Sequence, residues 1–171
     1  MNDLTIYHPV VARIVGVLTE KGCTFKTFEH EPVRTSEEAA AVRPEYSLAQ
    51  GAKALIIRAK MRETEGGEVK TFAQVVVPGD ARFDSRKTRE VLGAKDIRFA
   101  FEEEVHSLTG GIIPGGVPPF GNLFGLAVYA DETLLANEEI IFNAGDRRFS
   151  IALKTTDYIR VVEPRVVSII V

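Results

Sequence analysis

Residues 54–77 read ALIIRAKMRETEGGEVKTFAQVVV, and this stretch decides the fold. Ala54–Ala59 is an apolar, partly β-branched run, and Lys70–Val77 is a second such run that Pro78-Gly79 ends. Glu65-Gly66-Gly67-Glu68 lies between them and has the composition of a turn. Two apolar runs joined by a turn that contains glycine predict a β-hairpin.

On both sides of this hairpin, the sequence predicts short strands that alternate with helices, and capping or stop residues mark the ends of the helices. Apolar residues at helical spacing after Pro9 predict a first helix that ends at Gly22. Capping residues predict further helices that begin near Thr35, Asp84 and Thr155. The remaining predicted elements are a short helix at 102–108, strands at 24–29, 97–100, 125–130, 138–142, 149–153 and 166–171, and a hairpin turn at Asn143–Asp146.

The whole chain, residues 1–171, is predicted to form one domain. A chain of this length buries about 70% of the surface that its unfolded form exposes, so it needs no disulfide or metal to fold. Strands outnumber helices and hairpins are frequent. We therefore predict an α+β domain, a mixed and largely antiparallel sheet with helices packed on it.

The composition excludes some classes of protein. The chain has 21 Lys and Arg residues and 24 Asp and Glu residues, which gives a formal net charge of -3. This charge argues against a protein that coats nucleic acid through a general positive surface. A single cysteine excludes an internal disulfide. The apolar runs are too short to span a bilayer, and no secretory signal is visible. We therefore expect a cytoplasmic protein without a membrane partner.

The segment Thr109–Gly121, TGGIIPGGVPPFG, holds five of the 14 glycines and three of the 8 prolines. Neither a helix nor a strand can run through it. Glycine lets backbone approach a ligand, and proline fixes the shape of a loop in advance. The exposed N–H groups of such a loop can hold a carbonyl oxygen or an oxyanion. A long structural turn is the alternative interpretation, and the segment matches neither a P-loop nor a dinucleotide fingerprint.

Two further residues are candidates for a site. Lys53 stands at the entrance of an apolar strand, where its ammonium can reach into a pocket and bind a carboxylate, phosphate or carbonyl. A solvated surface lysine is the alternative. His30 lies at the end of a strand and could line a pocket or be an ordinary surface histidine. The three histidines and one cysteine are too scattered for a zinc site, so we expect no metal.

Basic residues cluster in two places. One group surrounds the helix that begins near Asp84, and the other is the pair Arg147 and Arg148. Such runs usually form a solvated face, and a weak role in contacting phosphate is the alternative. The first group consists of Arg82, Arg86, Lys87 and Arg89.

Four stretches together resemble the YbaK/ProX family, stand-alone editing domains related to the insertion domain of bacterial prolyl-tRNA synthetases. The order and spacing of these stretches fit the family over nearly the whole chain. The specific parts of the match are the strand that Lys53 enters (the lysine strand) and the segment Thr109–Gly121 (the Gly/Pro loop). The matching stretches are 30–40 (HEPVRTSEEAA), 52–57 (AKALII), 108–121 (LTGGIIPGGVPPFG) and 143–145 (NAG).

This resemblance implies a function and a set of site residues. Family members hydrolyse the ester between a wrong amino acid and the 3′ end of a tRNA, most often tRNA for proline, and need no metal or other cofactor. The family's key active-site lysine matches Lys53. Its substrate loop matches Gly115-Gly116-Val117-Pro118-Pro119. The expected partners are the 3′ end of an aminoacyl-tRNA and an aminoacyl-tRNA synthetase. Further candidate substrate-binding residues are His30, Asn143 and Gly145.

The candidate residues suggest a mechanism, and alternatives remain for the role of Asn143 and for the function of the protein. No Ser or Cys nucleophile is apparent, so we hypothesise that water attacks the ester directly, with Lys53 holding a phosphate or the carbonyl. Asn143 is either a polar pocket group or a turn residue. Ala54 stands where alanine-clearing relatives carry Asn, so alanine specificity is not implied. A non-catalytic binding or synthetase-docking module and a structural subunit are the alternatives to an enzyme.

Overall fold

The computed structural model describes residues 3–61 and 67–171. These residues fold into six helices, eight strands and two short 3₁₀ turns. The helices are α1 (Pro9–Glu20), α2 (Ser36–Val42), α3 (Ser85–Leu92), α4 (Glu102–Thr109), α5 (Glu132–Leu135) and α6 (Thr155–Val162). The strands are β1 (Phe25–Glu29), β2 (Ala52–Met61), β3 (Val69–Pro78), β4 (Ala94–Phe99), β5 (Ala127–Asp131), β6 (Glu139–Asp146), β7 (Phe149–Lys154) and β8 (Arg165–Val167).

The predicted hairpin is confirmed and forms the middle of a five-stranded sheet. β2 pairs antiparallel with β3 from Ala52 opposite Pro78 to Met61 opposite Val69. The strand order is β4-β2-β3-β5-β8, in which β4 is antiparallel to β2 and the last two pairings are parallel. Residues 65 and 66 of the predicted turn lie outside the described residues.

A second sheet of three antiparallel strands, in the order β1-β7-β6, lies against the first. The predicted α+β class is therefore confirmed, and the strands divide into two sheets. The apolar stripe of α1 packs into the main core together with residues of both sheets. Its buried residues are Val10, Val11, Ile14, Val15 and Leu18.

The turn predicted at Asn143–Asp146 is wrong. β6 continues through these four residues, and the turn is formed instead by Arg147 and Arg148. The pairing with β7 is irregular between Asn143 and Asp146, and Gly145 there has a φ of +109°. A bulge in a strand uses the same residue types as a turn, which explains the error.

The final strand is shorter and more exposed than the predicted 166–171. β8 ends at Val167, and the side chain of Val166 is exposed because β8 lies at the edge of the sheet. Ile169 is fully buried, while Ile170 makes only an isolated bridge to Phe83. Within the described residues, no helix has the length and apolarity needed to cross a membrane.

Candidate active site

A cavity of about 450 Å³ opens where α2, the start of β2, the Gly/Pro loop and β6 meet. Four of the residues predicted from the sequence line it: Lys53, Gly115, Val117 and Asn143. The hairpin brings Lys53 to this place because β2 begins at Ala52, directly after a 3₁₀ turn at Leu48–Gln50. The loop and the lysine, 62 positions apart in the sequence, thus face one space.

Lys53 has an ammonium that finds no counter-charge in the part of the chain that the structure describes. Its Nζ lies 3.4 Å from the carbonyl oxygen of Ala81, a long hydrogen bond. None of the ion pairs found within residues 3–61 and 67–171 includes Lys53. A partly buried ammonium with one weak neutral acceptor retains donors for an anionic or carbonyl ligand.

Two buried side chains hold the far end of the Gly/Pro loop. Gln74 of β3 donates from Nε2 to the carbonyl of Pro118 (2.9 Å) and accepts at Oε1 from the N–H of Gly121 (2.8 Å). The Tyr158 hydroxyl donates to the carbonyl of Pro119 (2.7 Å). Pro118 and Pro119 are therefore anchored to the core, and neither is among the residues that line the cavity.

The near end of the loop is held through its carbonyls. Asn143 donates from Nδ2 to the carbonyl of Gly115 (2.8 Å), and Arg147 donates from Nη2 to the carbonyl of Pro114. The N–H of Gly116 is also used, since it donates to the carbonyl of Ile113 (2.9 Å). The Gly115 N–H, by contrast, meets no acceptor in the described part of the chain. It points away from Arg147 because the C=O and N–H of a trans peptide point in opposite directions.

Arg43, a residue that the sequence did not indicate, also lines the cavity. Its side chain is only 7% exposed, and it donates to the Ser150 hydroxyl (3.1 Å) and to the carbonyl of Ala39 (3.1 Å). It belongs to no ion pair of the described residues. Burial lowers its pKa to about 10. A cation after the last turn of a helix is normally solvated, so no local pattern reveals this burial.

His30 lies behind the cavity wall. Its Nδ1 is 2.8 Å from the carbonyl of Glu31, which can only accept, so Nδ1 carries the proton. Its Nε2 then accepts from the Ser150 hydroxyl at 2.7 Å. Burial lowers the pKa of His30, which favours this neutral form. His30 is linked to Arg43 through Ser150 and is not among the residues that line the cavity.

Gly145 does not line the cavity either, and it packs against α1. A Cβ at this position would lie 1.9 Å from Cγ1 of Val10. Only glycine permits this contact between β6 and α1 at a φ of +109°. The glycine therefore fixes the strand that carries Asn143.

The two basic clusters have different surroundings. Arg147 holds the loop, as described, whereas Arg148 forms an ion pair with Asp146 (2.8 Å). In the first cluster, Arg86 pairs with Glu90 (3.2 Å). Arg82 and Arg89 have no ion-pair partner among residues 3–61 and 67–171. The same residues contain no group of three His, Cys, Asp or Glu side chains that could hold a metal ion.

The family pattern of the aminoacyl-tRNA editing domain matches residues 30–161. The chain belongs to this family. The match spans every residue that lines the cavity, from Val33 to Asn143. The family expected from the lysine strand and the Gly/Pro loop is therefore confirmed.

Individual relatives of this editing domain agree with the assignment. The multifunctional Ser/Thr-tRNA deacylase ProXp-y of Escherichia coli (strain K12) is 32% identical over 91% of this chain and 90% of its own length. A proline–tRNA ligase of Ralstonia nicotianae is 29% identical over 72% of this chain but 21% of the ligase. A crystal structure assigned as a trans-editing enzyme for prolyl tRNA synthetase has a TM-score of 0.78 and 28% identity, covering 96% of this chain and 98% of that one.

Proposed function

We propose that this protein is a trans-acting aminoacyl-tRNA deacylase that removes a wrong amino acid from a tRNA, with tRNA for proline as the expected substrate. Its membership in the editing-domain family supports the broader statement that it hydrolyses aminoacyl-tRNA esters. The observation that carries the proposal is the cavity in which the ammonium of Lys53, unpaired among the described residues, faces the Gly115 loop. The similarity to part of a proline–tRNA ligase and to the crystal structure assigned as a trans-editing enzyme for prolyl tRNA synthetase supports the choice of tRNA.

The reaction needs a water nucleophile and a place for the charge that develops on the ester oxygen. Water attacks the carbonyl carbon, the bond to the ribose oxygen breaks, and that oxygen regains a proton. The products are a free amino acid and a free tRNA end. The neighbouring ribose hydroxyl can relay the proton, so no protein base is required.

The chain's own groups would position the ester for this attack. Lys53 holds the phosphate of the terminal nucleotide or the ester carbonyl. The Gly115 N–H is the loop's donor for the oxyanion, because the N–H of Gly116 already binds Ile113. Arg147 binds the carbonyl of Pro114, which belongs to the same peptide unit as this N–H, and Asn143 binds the carbonyl of Gly115. Both hydrogen bonds keep the Gly115 N–H in a fixed orientation. The loop therefore needs little rearrangement during the reaction.

The cavity wall also suggests which amino acid is removed. Arg43 and Asn143 place polar groups beside apolar ones such as Val33 and Val117. A site that donates hydrogen bonds to a hydroxyl discriminates strongly against a side chain that lacks it. We therefore propose serine or threonine as the amino acid, in line with the name of the E. coli relative.

The test is a panel of tRNA for proline carrying Ser, Ala, Thr or Val. Each is assayed for ester loss with the wild type and with Lys53→Ala. Thr and Val have nearly the same shape, and Ala is Ser without its hydroxyl, so both pairs test the contribution of the hydroxyl. We expect faster loss of Ser and Thr, dependent on Lys53 and unaffected by a chelator. Equal rates within each pair contradict the choice of amino acid but leave the deacylase proposal standing. No ester loss on any tRNA, together with amino-acid or nucleotide binding, favours the non-catalytic module.

A further inference from the structure

Two phenylalanines lie beside the cavity on the face of the five-stranded sheet to which Lys53 belongs. Side chains alternate along β2, so Lys53, Leu55 and Ile57 share one face. Phe99 of β4 is paired directly with Ile57 and so lies on this same face. The ring of Phe83 lies 5.3 Å from that of Phe99. We call Phe83 and Phe99 the aromatic step.

Lys53 and Leu55 link the aromatic step to the cavity. Lys53 reaches the carbonyl of Ala81, only two residues before Phe83. Leu55 lines the cavity and also packs in the same apolar cluster as Phe83. A ligand that leaves the cavity past Lys53 on this face therefore meets the aromatic step next.

Two arginines, unpaired among the described residues, lie near the aromatic step, and one ring is open to solvent. Phe99 is 53% exposed, although it is a large apolar side chain at the end of a strand. Arg82 precedes Phe83 directly, and α3, which starts just after it, carries Arg89. Both arginines are exposed and without an ion-pair partner in the described ranges. Exposed aromatic rings among unpaired cations are typical of surfaces that bind single-stranded nucleic acid.

We propose that the aromatic step binds the unpaired nucleotides that precede the aminoacylated terminal adenosine of the tRNA. One base stacks on Phe99, and Arg82 contacts a phosphate. This inference rests on the proposed function, because it takes the ester to lie in the cavity at Lys53. It also explains how a chain with a net charge of -3 binds RNA, since the contact is local.

The experiment compares two substrates with the same ester, aminoacyl-tRNA and the aminoacylated adenosine alone. We expect Phe99→Ala to lower the ratio of kcat/KM for the tRNA to that for the adenosine ester about tenfold, the loss typical of one stacked base. Phe99→Tyr keeps the ratio because it keeps a ring. The matched control is Phe101→Ala, since Phe101 is equally exposed at 58% but lies under the Arg98 guanidinium. It should leave the ratio unchanged.

The possible results separate this inference from the proposed function. An unchanged ratio for Phe99→Ala, or the same loss for Phe101→Ala, overturns the aromatic step while the deacylase stands. If the wild type cleaves neither ester, the proposed function fails. Binding of uncharged tRNA, measured by fluorescence anisotropy, then tests whether the aromatic step binds RNA. The aromatic step is supported if the wild type binds tRNA that has its unpaired 3′ end more tightly than tRNA that lacks it, and if Phe99→Ala removes this difference. Equal binding overturns it.

Discussion

The two walls of the cavity differ in how their polar groups are satisfied. On the loop wall, residues 114–119, four carbonyls each accept a hydrogen bond from a side chain, those of Pro114, Gly115, Pro118 and Pro119. On the cationic wall, Lys53 and Arg43 donate only to neutral groups and have no carboxylate partner in the described ranges.

This difference separates stability from ligand binding. A loop with four of its carbonyls held by side chains is rigid before a substrate arrives, which is the requirement for electrostatic stabilisation of a transition state. A partly or fully buried cation without a counter-charge instead lowers stability and gains most when an anionic or polar ligand arrives. Substitutions on the loop wall should therefore change stability first, and those on the cationic wall should change activity first.

The largest effect is expected for Lys53→Ala, which removes the more exposed cation. We expect deacylation to fall about 100-fold or more, because a group that holds the reacting ester is lost. Stability should change by less than about 0.5 kcal/mol, since one long hydrogen bond to Ala81 is all that is removed. Single-turnover deacylation and thermal unfolding measure the two quantities.

The matched control is Lys60→Ala, which removes a lysine from the other end of the same strand. Lys60 lies 3.9 Å from Glu68 in an exposed ion pair. Its loss should alter neither activity nor stability measurably. Equal activities of Lys53→Ala and the wild type on every responsive tRNA would falsify the role given to Lys53.

The loop wall is tested next, by Gln74→Leu. This change leaves the Pro118 carbonyl and the Gly121 N–H without partners inside the protein. We expect a loss of about 2–4 kcal/mol in the free energy of unfolding, measured by chemical denaturation. Tyr158→Phe removes a single bond, that to the Pro119 carbonyl, and should cost about 1–2 kcal/mol. If Gln74→Leu costs less than Tyr158→Phe, the loop is not held as described.

The sequence predicts the elements that carry the two walls better than the contacts that anchor them. The β2–β3 hairpin, the N-caps Thr35 and Asp84 and the Gly/Pro loop depend on residues that are close in the chain, so local patterns reveal them. The position of Lys53 opposite that loop came from the family resemblance.

The contacts that anchor the walls could not be predicted in the same way. Gln74 looks like any polar residue in a strand until the loop folds over it, and Arg43 looks like a solvated helix end. The sequence predicts a turn at Asn143–Asp146, where the strand instead has a bulge, because turns and bulges both use Asn and Gly. Such features depend on contacts between distant segments, which hydrophobic periodicity and capping signals do not encode.

A smaller effect, of opposite sign for stability and activity, is expected from Arg43→Met. Methionine keeps most of the side-chain volume and removes a buried, unpaired charge, so stability should rise by about 1 kcal/mol. Activity on the preferred hydroxyl amino acid should fall about tenfold as a polar contact is lost. Arg34→Met is the control, since Arg34 lines the same cavity but is exposed. A loss of stability in Arg43→Met, with Arg34→Met unchanged, would mean that the bonds to Ser150 and Ala39 outweigh the burial of the charge.

The smallest effect concerns the pH dependence of the network behind the cationic wall. Burial lowers the pKa of His30 below its usual value of 6.5. Between the folded-state pKa and 6.5, the unfolded chain binds more protons than the folded one, so stability falls as pH falls through this window. Protonation at Nε2 also prevents His30 from accepting the Ser150 hydroxyl.

The measurement is the midpoint of urea unfolding at several pH values between 7 and 5, for the wild type and for His30→Gln. Glutamine can accept from Ser150 but does not titrate, so its midpoint should fall less steeply with decreasing pH. The variant should be close to the wild type at pH 7, where His30 is neutral. Identical slopes for the two proteins would place the responsible titration elsewhere. Arg43 would then be held by Ser150 and the carbonyl of Ala39 without a pH-dependent contribution of His30.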